Sequence, residues 1–555
     1  MPGTIVAGAL ENCVHVAGIV GFLRIAEQLG YETVFLGAAV KLDRFVEAVE
    51  KYRPQIVGVS YRLTPDIGRN VLEELRLKLE KRSLMDSVYL FGGTPPMCEI
   101  AQEMGWFDRC FSGSENPDEV WAYLRGDSVT SETQDFGSNL LDRLEKKHPY
   151  PLLRHHFGLP SLTDTVDGVR RIAESGVLDV ISIAPDQNAQ ECFFRPKEMD
   201  SALDGAGGVP IRSADDLTAI CEASHCGNFP LLRIYSGTRD LISWAEVSTS
   251  TIANAWAVVP LCWYSSLDGR SKRTPEEAIY ENQAAMKWHA LRGIPVEVNE
   301  AHHWALRDSH DVTSVLMAYL AAYNAKKMGV NHYVAQYMFN TPAGISPEMD
   351  LAKIMAQIEM VESLHGPDFF SFRQVRAGLL HLSPNLSRAK GQLAASTLIA
   401  LVVSPHIIHV VGYCEGDHAA TADEVIESCE IVRGVLKNSH NSMPGLIGSA
   451  AMYKRKGELL AEAGLLLKSI SSLCECDEDP YSSPQVIARA IASGLLDAPH
   501  LEGNQYALGE MRTQIVDGAV VCVDPATGEL IDEQRRLEML SSRVSWEATP
   551  LGRSQ

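Results

Sequence analysis

Four short β-branched runs, TIVAGAL, ETVFLG, QIVGVSY and SVYLFGG, recur through the first 125 residues. An amphipathic stretch separates each from the next: FLRIAEQLGY, KLDRFVEAVEKYR and GRNVLEELRLKLEKR. A strand–helix–strand repeat of this kind folds as a parallel sheet wrapped by helices on both faces. On such a sheet a ligand binds beyond the carboxyl ends of the strands, near the point where the strand order reverses. The residues that follow each strand are therefore the first place to look for function.

The pattern stops at RGDSVTSETQDFGSNLLDRLEKKHPYP, which is polar and then charged and has no strand signal. Residues 127–151 read as a linker carrying one helix. From residue 152 the alternation resumes on a larger scale. LDVISIAP, PLLRIYSG, WAVVPLCWY, IPVEVNE, HYVAQYM and IIHVVGYC are strand candidates, separated by helical stretches such as TPEEAIYENQAAMKWHALRG and DVTSVLMAYLAAYNAKKMG. Six visible strands and one or two unmarked ones over roughly 300 residues suit a (β/α)8 barrel of TIM type. Several end in polar residues, Arg233, Tyr235, Glu300, His302 and Glu415, at the rim where such barrels place active sites. Residues 441–555 begin helically and then show AVVCVDPATGELI, which reads as a hairpin about Pro-Ala-Thr-Gly. The predicted fold is thus α/β: a Rossmann-like, flavodoxin-like domain over 1–126, the linker, a TIM-type barrel over 152–440 and a small α+β extension over 441–555.

Charge and composition exclude several classes. The 555 residues carry 49 Lys and Arg against 71 Asp and Glu, a formal net charge of −22, which is the wrong sign for neutralising nucleic-acid phosphates. No apolar run is long enough to span a bilayer, and MPGTIVAGALENC lacks the basic segment that opens a secretory signal. The 12 cysteines follow no disulfide or zinc spacing; the close pairs Cys221/Cys226 and Cys474/Cys476 have no second pair to match them. A cytoplasmic protein with reduced thiols is expected, with no nucleic-acid or membrane partner.

Three features fall at the strand ends of the first domain. Cys13-Val14-His15-Val16-Ala17-Gly18 follows the first strand, Ser60-Tyr61-Arg62-Leu63 ends the third, and Gly92-Gly93 ends the fourth. Singly, each has a plain alternative, a packed histidine or turn chemistry. One such element per strand end, in order, is a stronger signal. Glycines there remove side chains and let a large flat ligand approach the backbone. The arrangement resembles the cobalamin-binding domain of mutases and of methionine synthase. That family carries Asp-x-His-x-x-Gly after strand one, a Ser-x-Leu element after strand three and Gly-Gly after strand four. The resemblance covers residues 1 to about 125. It implies His15 as the lower ligand of the cobalt, with Gly18, Ser60, Leu63, Gly92 and Gly93 binding the cofactor. The family's aspartate, which orients the imidazole, is Cys13 here, and Glu11 is the nearby carboxylate that would replace it.

The stretch from about 230 to 430 is similar to the barrel subunit of glutamate (methylaspartate) mutase. VVPLCWYSSLDGRSKRTPEEAIYENQAAMKWH and GIPVEVNEAHHW follow that family's layout, and VGYCEGDHAATADEV sits where it places an acidic, cofactor-contacting segment. There the two parts are separate chains; here the cobalamin domain precedes the barrel. The resemblance implies adenosylcobalamin, whose carbon–cobalt cleavage starts a radical rearrangement of a small polar carboxylic acid held in the barrel. Arginine grips a carboxylate with two parallel hydrogen bonds. Arg154 and Arg233 are the substrate-binding candidates, while Arg212 suits a salt bridge equally well. Gln187 and Asn188 of APDQNAQ, with Tyr235, are further substrate contacts, although Asp186 and Asn188 also suit a turn. Glu300 and His302 of NEAHHW are the catalytic candidates for proton transfer. Glu415 joins them as the match to an acidic residue that contacts the adenosyl ribose in that family. The family has an arginine near NEAHHW that this chain lacks, so the acid itself stays unassigned.

The expected activity is an adenosylcobalamin-dependent carbon-skeleton mutase, an isomerase working as a homodimer. A corrinoid methyltransferase uses the same cobalamin fold, although there a helical domain precedes strand one and this chain opens on it. A non-catalytic cobalamin sensor or chaperone has no use for a barrel with polar strand ends. A pyridoxal-phosphate aminomutase needs a Schiff-base lysine, and no lysine here stands in such a context.

Overall fold

The computed structural model describes residues 3–113, 117–125, 135–439, 448–474 and 478–547. The chain divides into two compact units, Met1–Asp135 and Phe136–Gln555. Residues 127–134 of the expected linker lie outside the described residues. Its later part forms the helix Leu140–Lys147, capped by Asn139, whose side chain accepts the Asp142 N–H. Leu140 is buried with the apolar floor of the second unit, so this helix belongs to that unit's packing.

The first unit is a five-stranded parallel sheet of β1 (Thr4–Ala9), β2 (Glu32–Phe35), β3 (Ile56–Tyr61), β4 (Val88–Gly93) and β5 (Arg109–Phe111). Their order is β2-β1-β3-β4-β5, the doubly wound order of flavodoxin-type sheets. β3 is buried along its whole length, as a central strand covered on both faces should be. The three-residue β5 was not visible as a sequence pattern because RCF is too short to alternate. The strand order reverses between β1 and β3, so the ends of β1, β3 and β4 open on one crevice, and that is where His15, Ser60 and Gly92 lie.

The second unit holds eight parallel strands: β6 (Leu152–Phe157), β7 (Val180–Ile183), β8 (Leu231–Ile234), β9 (Ala257–Val259), β10 (Val296–Val298), β11 (His332–Phe339), β12 (Phe370–Ala377) and β13 (Ile407–His409). Sequence neighbours pair from β6 to β8 and from β9 to β13, and β13 pairs with β6. Between β8 and β9 the ladder is reduced to two backbone bonds, Ala255 N–H to Leu232 O and Ser236 N–H to Val258 O, so the barrel is nearly closed. The two strands absent from the sequence reading are β6 and β12. LLRHHF and FSFRQVRA hide their alternation because their inward positions carry arginine, histidine and glutamine instead of apolar residues.

The extension packs the helix Ala450–Ser471 against the barrel helix Pro347–Glu362. Its hairpin differs from the expected one. Strands β14 (Thr513–Val516) and β15 (Ala519–Cys522) pair across Asp517-Gly518, both with positive φ, which is the backbone a two-residue primed turn requires. Pro-Ala-Thr-Gly makes only a tight loop closed by a single bridge, Val523 to Leu530. The Asp-Gly dipeptide was the stronger turn signal. Among the described residues no helix is long and apolar enough to cross a membrane.

Candidate functional site

The crevice of the first unit is a groove of about 1150 Å³ with a largely apolar lining. His15 and Gly18 lie on it beside Gly21, Ser60, Gly92 and Gly93. His15 is exposed in the loop between β1 and the helix Ala17–Gln28. Its Nδ1 lies 3.8 Å from the Sγ of Cys13, which is fully buried. An imidazole turned this way presents Nε2 away from the sulfur, as a ligand nitrogen must be presented. Glu11 does not replace the family's aspartate. Its carboxylate accepts from Lys41 Nζ at 2.8 Å and from the Leu42 N–H at 2.9 Å, so it is committed to the start of the next helix. Leu63 also departs from expectation: it packs against the hydrophobic core, and Arg62 lines the groove in its place.

The glycines are of two kinds. A Cβ on Gly18, Gly21 or Gly92 would meet nothing within 4 Å, because these residues form an open floor. A Cβ on Gly93 would lie 2.6 Å from the Phe91 ring and 2.9 Å from Tyr61 O, so this glycine is required by close packing. An open, side-chain-free floor with an outward imidazole at its edge fits the nucleotide arm and cobalt of a cobalamin.

In the barrel, alternation sorts side chains strictly. Leu153, Ile181, Leu232, Val298, Val375 and Ile408 point outward to the helices. The inward set starts at the bottom with Leu152, Val180, Val258, Val334 and Ile407, which form an apolar floor. The next layer is polar. Arg154 Nη1 donates to Ser182 Oγ at 2.6 Å, Arg233 Nε donates to the same hydroxyl at 2.7 Å, and Arg154 Nη2 lies 2.8 Å from His409 Nδ1. Opposite them, Gln374 donates to Gln336 at 3.1 Å, and Gln336 lies 3.2 Å from His302 Nδ1. Above Arg233, the Tyr235 hydroxyl is 2.8 Å from His156 Nε2 and the two rings stack. Arg376 adds a third guanidinium to this lumen, and burial holds it below its ordinary proton affinity.

Charge in this lumen is unbalanced. Arg154 and Arg233 are completely buried, and the nearest carboxylate, Glu297, is 3.7 Å from Arg233 Nη1. Glu297 also accepts the Trp256 indole N–H at 2.8 Å. Arg154 Nε, both terminal nitrogens of Arg233 and His156 Nδ1 are buried without hydrogen-bond partners. Burial, reinforced by the arginines, holds His156, His302 and His409 well below the usual imidazole range, so the rings are neutral. Glu415 follows β13 and lies 3.2 Å from His155 Nε2. Burial pushes its carboxyl up, but His155, the Gly412 N–H and Arg376 together hold it below the ordinary range.

Several expected site residues are engaged elsewhere. Asn188 donates to Asp200 O and Asp204 and accepts the Asp200 N–H, which uses its amide to fold the loop after β7. Gln187 is exposed at the start of the short helix that Asp186 caps. Arg212 is paired bidentately with Asp186 and also with Asp204. Glu300 accepts the backbone N–H groups of Leu261 and Cys262 and the Trp304 indole N–H, which ties the loop after β9 to the loop after β10. Sequence reading missed Arg376, His156, His409, Gln336 and Gln374. Only the parity of their strands could have revealed them.

Glu300 gives a pH prediction. Burial pushes its carboxyl up from 4.5 to about 7, against the pull of its three donors. Between those values the folded chain binds more protons than the unfolded one, so this group's contribution to stability falls as pH rises, by about 3 kcal/mol in all. Glu300→Gln is expected to remove that part of the slope, read as the change in urea midpoint between about pH 5 and about pH 7.5 in variant and parent.

Residues 3–120 match the family model described as a B12 binding domain. Trimethylamine corrinoid protein 2 of Methanosarcina mazei is 31% identical over 107 residues, 19% of this chain and 47% of that protein. The trimethylamine corrinoid protein of Methanosarcina barkeri matches with the same identity and coverage. A solved structure of a cobalamin-binding protein from Desulfitobacterium hafniense DCB-2 is 27% identical, covering 22% of this chain and 58% of that one, with a TM-score of 0.20. The chain spans about half the length of the curated relatives it matches. The similarity lies in the first unit, which carries a B12 binding domain.

Proposed function

We propose that the chain is an adenosylcobalamin-dependent mutase in which the first unit carries the cofactor and the barrel holds a small polar carboxylic acid. One observation carries this reading: a B12-binding domain shares a chain with a barrel whose lumen buries arginine nitrogens that have no hydrogen-bond partner. Buried guanidinium groups with unsatisfied N–H donors are costly unless an anion completes them. A substrate carboxylate would complete them, gripped by Arg233 and Arg154. The bound cofactor supplies a homolysable carbon–cobalt bond. The chain's own residues do the rest. The apolar floor and the nearly closed barrel wall limit the access of water. The neutral His156, hydrogen-bonded to Tyr235, offers Nδ1 to a polar group of the substrate. Gln336 and His302 offer neutral hydrogen bonds on the opposite wall. Glu415 stays ionised beside His155 and suits a hydroxyl or ammonium partner.

The corrinoid-protein relatives favour a second reading, methyl transfer through a methylated corrinoid. The two separate in one experiment. The full chain is loaded anaerobically with adenosylcobalamin and given candidate small carboxylic acids. A mutase develops a Co(II) electron paramagnetic resonance signal with its substrate; a methyltransferase does not, and instead demethylates methylcobalamin when given a thiol acceptor. No Co(II) signal with any acid would sink the first reading.

His15 gives the matching cofactor prediction. In the Co(II) form, a histidine lower ligand splits the signal by one nitrogen nucleus. With 15N-histidine in the protein, the three-line splitting is expected to become two-line. His15→Ala is expected to abolish the effect of labelling and to weaken binding, as loss of a ligating imidazole should.

A further inference from the structure

The extension is fastened to the barrel by a side-chain cluster that the proposed chemistry does not use. His310 precedes the helix Asp311–Lys327, Cys522 ends β15, and Glu533 opens the helix Glu533–Glu547. All three are buried, at 2%, 1% and 0% exposure. One imidazole nitrogen, the thiol sulfur and one carboxylate oxygen lie within 4.8 Å of one another. His310 of the barrel and two residues of the extension thus bring a nitrogen, a sulfur and an oxygen to one buried point.

The spacing separates two explanations. His310 Nδ1 is 3.6 Å from Glu533 Oε2 and has no hydrogen-bond partner although it is buried. A donor and acceptor sharing a proton approach to roughly 2.7–3.2 Å. Two ligands about 2.0–2.3 Å from one tetrahedral ion stand about 3.3–3.8 Å apart. The observed distance belongs to the second case. Glu533 is also fixed in place by Arg536. Arg536 Nε donates to its Oε2 at 2.9 Å and Arg536 Nη2 to its Oε1 at 2.5 Å, while the same guanidinium is anchored on the carbonyls of Gly494 and Leu495. Glu462, on the helix Ala450–Ser471, has a buried Oε2 without a hydrogen-bond partner. One thiolate and one carboxylate would be balanced by a divalent ion.

We propose that His310, Cys522 and Glu533 bind a divalent transition ion of the zinc type that pins β15 and the C-terminal helix to the barrel. All three ligands are buried and join the extension to the barrel, so the role of the ion is structural. Its ligands are also apart from the arginine lumen in sequence and in contacts, so it stands or falls independently of the mutase reading.

The test uses the full-length chain stripped with a chelator and then titrated with zinc against a chromophoric competitor. Uptake of one zinc per chain, with a rise in thermal midpoint on reloading, is expected. Co(II) loaded into the cobalamin-free chain should show a thiolate-to-metal charge-transfer band. Cys522→Ser should lose the band, and His310→Ala should weaken zinc binding by at least about 100-fold. Where a variant fails to fold, the stripped parent chain still decides. If it takes up no zinc at micromolar free ion and melts at the same temperature with and without it, the proposal is overturned, and the cluster is a buried His310–Glu533 ion pair.

Discussion

Gly92→Leu is expected to abolish cobalamin binding while leaving the first unit folded. Gly92 ends β4 on the groove, and a Cβ there meets nothing within 4 Å. Its φ is not in the left-handed region, so the backbone accepts a side chain without strain. A leucine at this position projects into the groove and occupies space the nucleotide arm needs. A filled binding groove costs at least about 3 kcal/mol of affinity, or about 100-fold and more. Gly93 is the control, one residue away on the same strand. There an added methyl meets the Phe91 ring and the Tyr61 carbonyl oxygen, so Gly93→Ala should destabilise the unit by about 1–3 kcal/mol through overpacking. Spectral titration with hydroxocobalamin and a thermal melt of each variant separate the two effects. A Gly92→Leu chain that binds cobalamin like its parent would show that this groove is not where the cofactor's nucleotide lies.

The contrast between the two glycines also marks what a sequence can and cannot disclose. Gly92-Gly93 was readable as a place where backbone must be approached, because only position along the sheet was needed. Which glycine faces ligand and which faces its own fold depends on the register of β3 against β4, and that pairs Tyr61 with Gly93. The cobalamin motif was legible because its parts lie within loops of a few residues. Glu11 was misjudged because its partner, Lys41, is 30 residues away. The barrel was legible as an alternation, but its chemistry was not. Arg154 and Arg376 sit on strands whose inward positions are polar, so the strands least visible as patterns carry the lumen's charge. Glu300 looked catalytic for the same reason in reverse. It stands at a strand end, but it satisfies backbone donors of a loop about 40 positions earlier, a contact that only tertiary structure creates.

Arg233→Met is expected to remove substrate binding without touching cobalamin binding. The guanidinium is fully buried, spends Nε on Ser182, and leaves two terminal nitrogens for an anion. A buried charge pair broken on one side loses about 3–5 kcal/mol, so affinity for the acid should fall by about 100- to 1000-fold or more. Lysine is not a substitute, since it offers one point charge where two parallel donors are needed. Stability should move in another direction. The single variant leaves Glu297 buried with the Trp256 N–H as its remaining close partner, and should be less stable. Adding Glu297→Gln removes that carboxylate while keeping an oxygen for Trp256, so the pair Arg233→Met/Glu297→Gln should match or exceed the parent by about 1–4 kcal/mol. A more stable barrel that no longer binds a carboxylic acid is the signature of a charge kept for function against the interest of the fold. If instead the double variant is strongly destabilised and the single one still binds the acid, Arg233 is a structural residue and the anion subsite must be sought at Arg376.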